Sequence, residues 1–115
     1  MLMPTVYVAS GGVAGVVLRY WLTVWFPSLW TIVVVNLAGS LLLGGLTHVG
    51  GHLGHDARTA VGVGFLGGFT TFSTLTVQTV LEADGGKPHR AAAYFLISVF
   101  GGLLCAAFGY VLLRR

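Results

Sequence analysis

The sequence predicts an all-α integral membrane protein built from four transmembrane helices. Hydrophobic residues make up 56% of the 115 and charged residues 8%, whereas about a quarter of a soluble domain is charged. Apolar runs of about 20 residues, the length that crosses the hydrocarbon core as a helix, recur along the whole chain. None of these runs alternates polar and apolar residues, as the strands of a membrane β-barrel must. The length leaves room for one domain, so residues 1–115 are expected to form a single four-helix membrane bundle.

The first span is expected over residues 4–26, closed by Pro27. It lacks a basic leading segment, and its apolar stretch runs on too far for a cleavable signal. The second, over 30–49, ends in "GGHLGH" (50–55). The third covers 58–82, and "ADGGKPH" (83–89) separates it from the fourth at 90–113. Such short connections make neighbouring helices antiparallel. Eighteen glycines without a collagen period suit closely packed membrane helices.

The net charge of +3 is scattered, with only Arg114 and Arg115 adjacent, and gives no footprint for nucleic acid. With four spans, Arg58, Arg114 and Arg115 share one side of the membrane. Lys87 and Arg90 lie on the other, together with Arg19 in the second half of the first span. An even balance leaves the positive-inside rule nothing to act on. Either another feature fixes orientation, or the chain inserts both ways and pairs antiparallel. The acids Asp56, Glu82 and Asp84 fall in loops or at a helix end, which argues against proton-coupled transport through an intramembrane carboxylate. His48, His52, His55 and His89 sit at or beyond span ends. The glycines among the first three argue against a rigid helix that would align them for a metal, so they read as solvated loop residues. Cys105 reads as a small packing residue. No acid–base pair, nucleophile triad or cofactor motif appears, so no enzyme is expected.

The third span is the unusual one. Its centre reads "GFLGGFTTFSTL" (64–75), with glycines and hydroxyl residues at the depth where lipid tolerates them least. Irregular backbone there must be buried in protein or line a wet cavity. Gly64-x-x-x-Gly68 also suits a helix-packing notch, and Ser or Thr can bond back one turn. Thr70, Thr74 and Gln78 form an uncharged polar row at i, i+4 spacing, better suited to a small ion or water than to a proton relay.

"GFLGGFTTFST" closely resembles the third-helix signature of the Fluc (CrcB) family of fluoride channels. "GGVAGVVLRY" (11–20), "TIVVVNLAGSLLLG" (31–44) and "YFLIS" (94–98) match the family's other helices in order, so the resemblance spans essentially the whole chain. It implies a passive fluoride-selective channel exporting cytoplasmic fluoride, in the cell membrane of a bacterium or archaeon. It further implies an antiparallel, dual-topology homodimer with two pores, its third helices broken near the membrane centre. Backbone carbonyls of Gly67 and Thr70 from both subunits would hold a structural Na+ that is not transported. Asn36, Phe72, Ser73, Thr74, Tyr94 and Ser98 would line the fluoride pore. The chemistry fits: amide and hydroxyl donors replace water around a strongly hydrated anion, and an aromatic ring offers its positive edge. Arg19 matches the family's helix-one arginine; it either makes a vestibule electropositive or snorkels to the interface. Leu75 departs from the pattern, since the family signature typically has a second Phe there. That departure keeps open a second reading, one subunit of a heteromeric fluoride channel. A small multidrug-resistance type antiporter is a remote third, because the first helix carries no acid.

Overall fold

The computed structural model describes residues 2–49 and 54–112, without the side chains of His48 and Val49. His52, Leu113, Arg114 and Arg115, which figure in the sequence reading, lie outside the described residues. Helix α1 is Leu2–Trp25 and α2 is Leu29–Val49. The third span begins with α-helical His55–Arg58, continues as π-helix over Thr59–Leu66 and ends in the short α-turn Gly67–Phe69. These contiguous residues, 55–69, are α3. The span resumes as α4, Phe72–Asp84, and α5 is Pro88–Leu112. No strand occurs among the described residues. The four spans, with α3 and α4 together as the third, are long and apolar enough to cross a membrane.

Local chemistry sets the turns. α1 stops before Pro27, which has no N–H to extend the ladder. Ser28 then caps α2, its Oγ accepting the Trp30 N–H at 3.2 Å. Between α4 and α5 the chain makes a Schellman turn. The Gly86 amide donates to Ala83 O at 3.2 Å and the Lys87 amide to Glu82 O at 3.0 Å. Gly86 takes the left-handed conformation this requires, at φ 84°. Pro88 follows at the first helical position of α5, where its missing N–H costs nothing.

The helices pack as two pairs, α1 on α3 and α2 on α5. Glycines bring the backbones of each pair together. A Cβ on Gly11 or Gly15 would strike the Ala60 or Phe65 carbonyl, and one on Gly68 would sit 2.7 Å from Gly12 O. Gly64 faces Val8 O in the same way, so Gly64 and Gly68 do form a packing notch. In the other pair Gly44 lies on the Ala106 backbone and Gly109 on that of Leu41. Close approach of this kind replaces the hydrophobic drive that lipid cannot supply. α4 leaves the first pair and packs on α5. The break between α3 and α4 therefore lets one span serve both pairs.

The break falls on two threonines. Thr70 (φ −86°, ψ 157°) and Thr71 (φ −152°, ψ 124°) are extended, while Gly67 remains helical at φ −62°, ψ −39°. The third span is broken as the family resemblance implies: Gly64 and Gly68 pack on α1, and the two threonines break the helix. The row Thr70–Thr74–Gln78 is corrected accordingly: with Thr70 outside any helix, i, i+4 spacing no longer aligns it with the other two.

Candidate functional site

The break is built from hydroxyl and amide groups competing with the helical ladder. Thr70 bonds back to Leu66 O twice, through its amide at 3.1 Å and its Oγ1 at 3.0 Å. In a continuous helix the Thr71 amide would donate to the Gly67 carbonyl. Here it donates to Asn36 Oδ1 at 2.8 Å, and Asn36 Nδ2 returns a bond to Thr71 O at 2.8 Å. The Thr74 amide, which would otherwise reach Thr70 O, donates to Thr71 Oγ1 at 3.2 Å, making Thr71 the N-cap of α4. Asn36 and Thr71 thus divert the amides that would have closed on the Gly67 and Thr70 carbonyls. Gly39 leaves room for the turn, since a Cβ there would collide with Thr70 Cγ2.

Two clefts flank this knot. The first, of about 420 Å³, lies among α2, the break and α5; Asn36, Gly39, Thr70, Thr71, Phe72 and Ser98 line it. Ser98 is buried, and its Oγ finds no hydrogen-bond partner among the described residues. One turn away on α5, Tyr94 is fully buried with its hydroxyl equally unpartnered. Buried hydroxyls are nearly always paired, so these two, at i, i+4, have donors open to a partner from outside the protomer.

The second cleft, of about 470 Å³, is lined by Arg19, Thr23, Thr74, Gln78, Glu82 and Arg90, among others. Arg19 is half-buried and turns inward, its Nε donating to Gly68 O at 3.4 Å. Thr71 and Thr74 join the two clefts: their hydroxyls are 3.2 Å apart, and Asn36 holds Thr71 from the far side. A polar chain therefore runs from Thr74 in one cleft to Asn36 in the other.

The remaining sequence-predicted residues are placed differently. Phe72 is 66% exposed at the edge of the first cleft, and Ser73 is exposed and lines neither cleft. Leu75 is buried against Ile32, Val33 and Tyr94, so it buttresses the Tyr94 ring besides touching the first cleft. Trp30 meets the same ring edge-on, with centroids 6.1 Å apart. Sequence reasoning missed Thr71 and Gly39. Thr71 had a usable signal, a threonine three residues before another hydroxyl at the head of a helical run. Gly39 had none, because the residue it accommodates is distant in sequence.

The family described as "CrcB-like protein, Camphor Resistance (CrcB)" matches residues 6–110 of this chain. The chain belongs to the CrcB family. A CrcB relative from Moorella thermoacetica, named "Fluoride-specific ion channel FluC 2", is 40% identical over 95% of both chains. One from Thermus thermophilus, "Fluoride-specific ion channel FluC", is 42% identical over 90% of this chain and 87% of its own. A third, from Rhodococcus jostii, "Fluoride-specific ion channel FluC 1", is 40% identical over 92% and 82%. These CrcB relatives are named as channels and not as enzymes. With its four spans, this member is a multi-pass protein of the cell membrane.

Proposed function

We propose that the chain is a passive fluoride channel that works as an antiparallel homodimer with two pores. The observation that carries this reading is the buried, unpartnered hydroxyl of Ser98 in the cleft that Asn36 lines, with the equally unpartnered hydroxyl of Tyr94 one turn away on α5, behind that lining. Leaving a buried donor idle costs about 1–3 kcal/mol; a hydrated anion passing the site offsets that cost by accepting the bond. Asn36 keeps one amide hydrogen after its bond to Thr71 O, so it both braces the break and faces the ion. Phe72, Ser73 and Thr74 complete the pore; the first two are exposed in one protomer and would be covered by a second copy. Arg19 raises the potential of the second cleft, while the uncharged donors of the pore suit an ion that must leave as readily as it enters.

The two carbonyls whose amides are diverted, Gly67 O and Thr70 O, suit a structural Na+ at the dimer centre. Backbone oxygens without donors are costly in lipid. Hard cations accept such ligands, and the bound charge would steady the broken helices and favour an anion path beside it. Gly67 is exposed in the single protomer, as a residue shared between two subunits should be.

Purified chain reconstituted alone into liposomes should release fluoride and retain chloride. Well-folded protein that releases no fluoride would overturn the homodimeric reading. Efflux appearing only on adding a homologous subunit would favour the heteromeric alternative that Leu75 raises. Drug-driven proton flux would favour the multidrug-antiporter class.

A further inference from the structure

We propose that Glu82 sets the rate of anion entry at the second cleft, by holding Arg90 at its mouth and cancelling one of its positive charges. The inference rests on the channel reading above. Arg19, Glu82 and Arg90 are the charged residues lining that cleft. Two guanidiniums and one carboxylate leave a single net positive charge to attract an anion. Glu82 and Arg90 belong to different helices, and the Schellman turn brings them together. Glu82 supplies the carbonyl that receives the Lys87 amide, and Arg90 lies in the first turn of α5. Arg90 Nε then stands 3.4 Å from Glu82 Oε2.

The pair is unequal. Arg90 keeps 45% of its side chain exposed and Glu82 21%, while Glu82 Oε2 is buried without a hydrogen bond. A structural ion pair would gain from better geometry than this, and exposed pairs contribute little to stability. A carboxylate facing an anion path acts instead through the field, because charges lining a cleft govern local ion concentration and entry rate. Glu82 thus damps a mouth that Arg19 and Arg90 alone would make more attractive, and it prevents the two guanidiniums from trapping the ion.

The test is fluoride efflux from liposomes carrying the whole chain, as the unmodified protein, Glu82→Gln, Arg90→Gln and the double variant. Background salt is set to about 0.01 M or about 1 M, where the screening length falls from about 30 Å to about 3 Å. At low salt Glu82→Gln should speed efflux by about two- to tenfold and Arg90→Gln should slow it by a similar factor. The double variant should fall between the two single ones, and the spread should shrink at high salt. A purely structural pair predicts otherwise: every variant loses the same contact, so all would slow together, independently of salt. That result overturns the proposal. If Glu82→Gln fails to fold, the order of Arg90→Gln and the double variant decides alone, with equal rates contradicting the proposal and a faster double variant supporting it. No efflux from the unmodified chain would overturn the channel reading and this inference together. A flat variant series on an active background would overturn only the inference.

Discussion

At the scale of single residues, the site depends on space as much as on donors. Gly39 is buried on α2 and opposite Thr70, whose methyl would meet any added Cβ. Gly39→Ala should gain helix propensity of up to about 1 kcal/mol, yet lose about 1–3 kcal/mol to overpacking at the break. Thr70→Ser removes that methyl and keeps the hydroxyl that bonds Leu66 O. Thermal melts in detergent should therefore show Gly39→Ala destabilised and the Gly39→Ala/Thr70→Ser pair restored. Additive losses would show that the two residues do not compete for the same space. At this scale the sequence was legible for chemistry and illegible for placement. Asn36 could be named through the resemblance and its amide given a role, but not its double bond to Thr71, which depends on how α2 meets the third span. Leu75 was readable as a departure from a signature, whereas its burial beneath Tyr94 depends on α4 packing on α5.

At the scale of elements, the third span is two helices with different neighbours. Four spans and their short turns followed from hydropathy, Pro27 and the "ADGGKP" run, because those signals are local. The break was readable through the resemblance, but not which residues of the signature make it. Gly67 and Gly68 stay helical, while the hydroxyls of Thr70 and Thr71 end one helix and cap the next. The π-helical stretch Thr59–Leu66 was not legible at all, since a run with almost no polar residue has no face from which to read a period. The diverted amides yield a prediction about ligand removal. If Gly67 and Thr70 carbonyls hold Na+, replacing Na+ with a large organic cation should lower the melting temperature of the unmodified chain. Asn36→Ala releases the Thr71 amide, which would then be free to close on Gly67 O. That variant should melt at the same temperature in either salt. An unchanged sodium-dependent shift in Asn36→Ala would show that the site does not depend on this diversion.

At the scale of the whole molecule, one protomer is visibly one-sided. All three tryptophans, Trp21, Trp25 and Trp30, flank the α1–α2 turn and are at least partly exposed. Tryptophan favours both membrane interfaces, and an antiparallel pair would supply it to both. An even split of basic residues, as the sequence reading expects, would leave each member of such a pair free to insert either way. The large apolar surface left exposed, from Val63 and Phe72 through Leu104, is available to lipid and to a second copy. If fluoride crosses such a pair passively and alone, it carries its charge with it. The direct measurement is efflux from fluoride-loaded liposomes containing the purified chain, before and after valinomycin opens a potassium shunt. A passive channel should stall against its own membrane potential and release fluoride when the shunt opens, with chloride retained. Full efflux without valinomycin would mean that fluoride movement is electrically compensated by coupled transport, and would contradict the account.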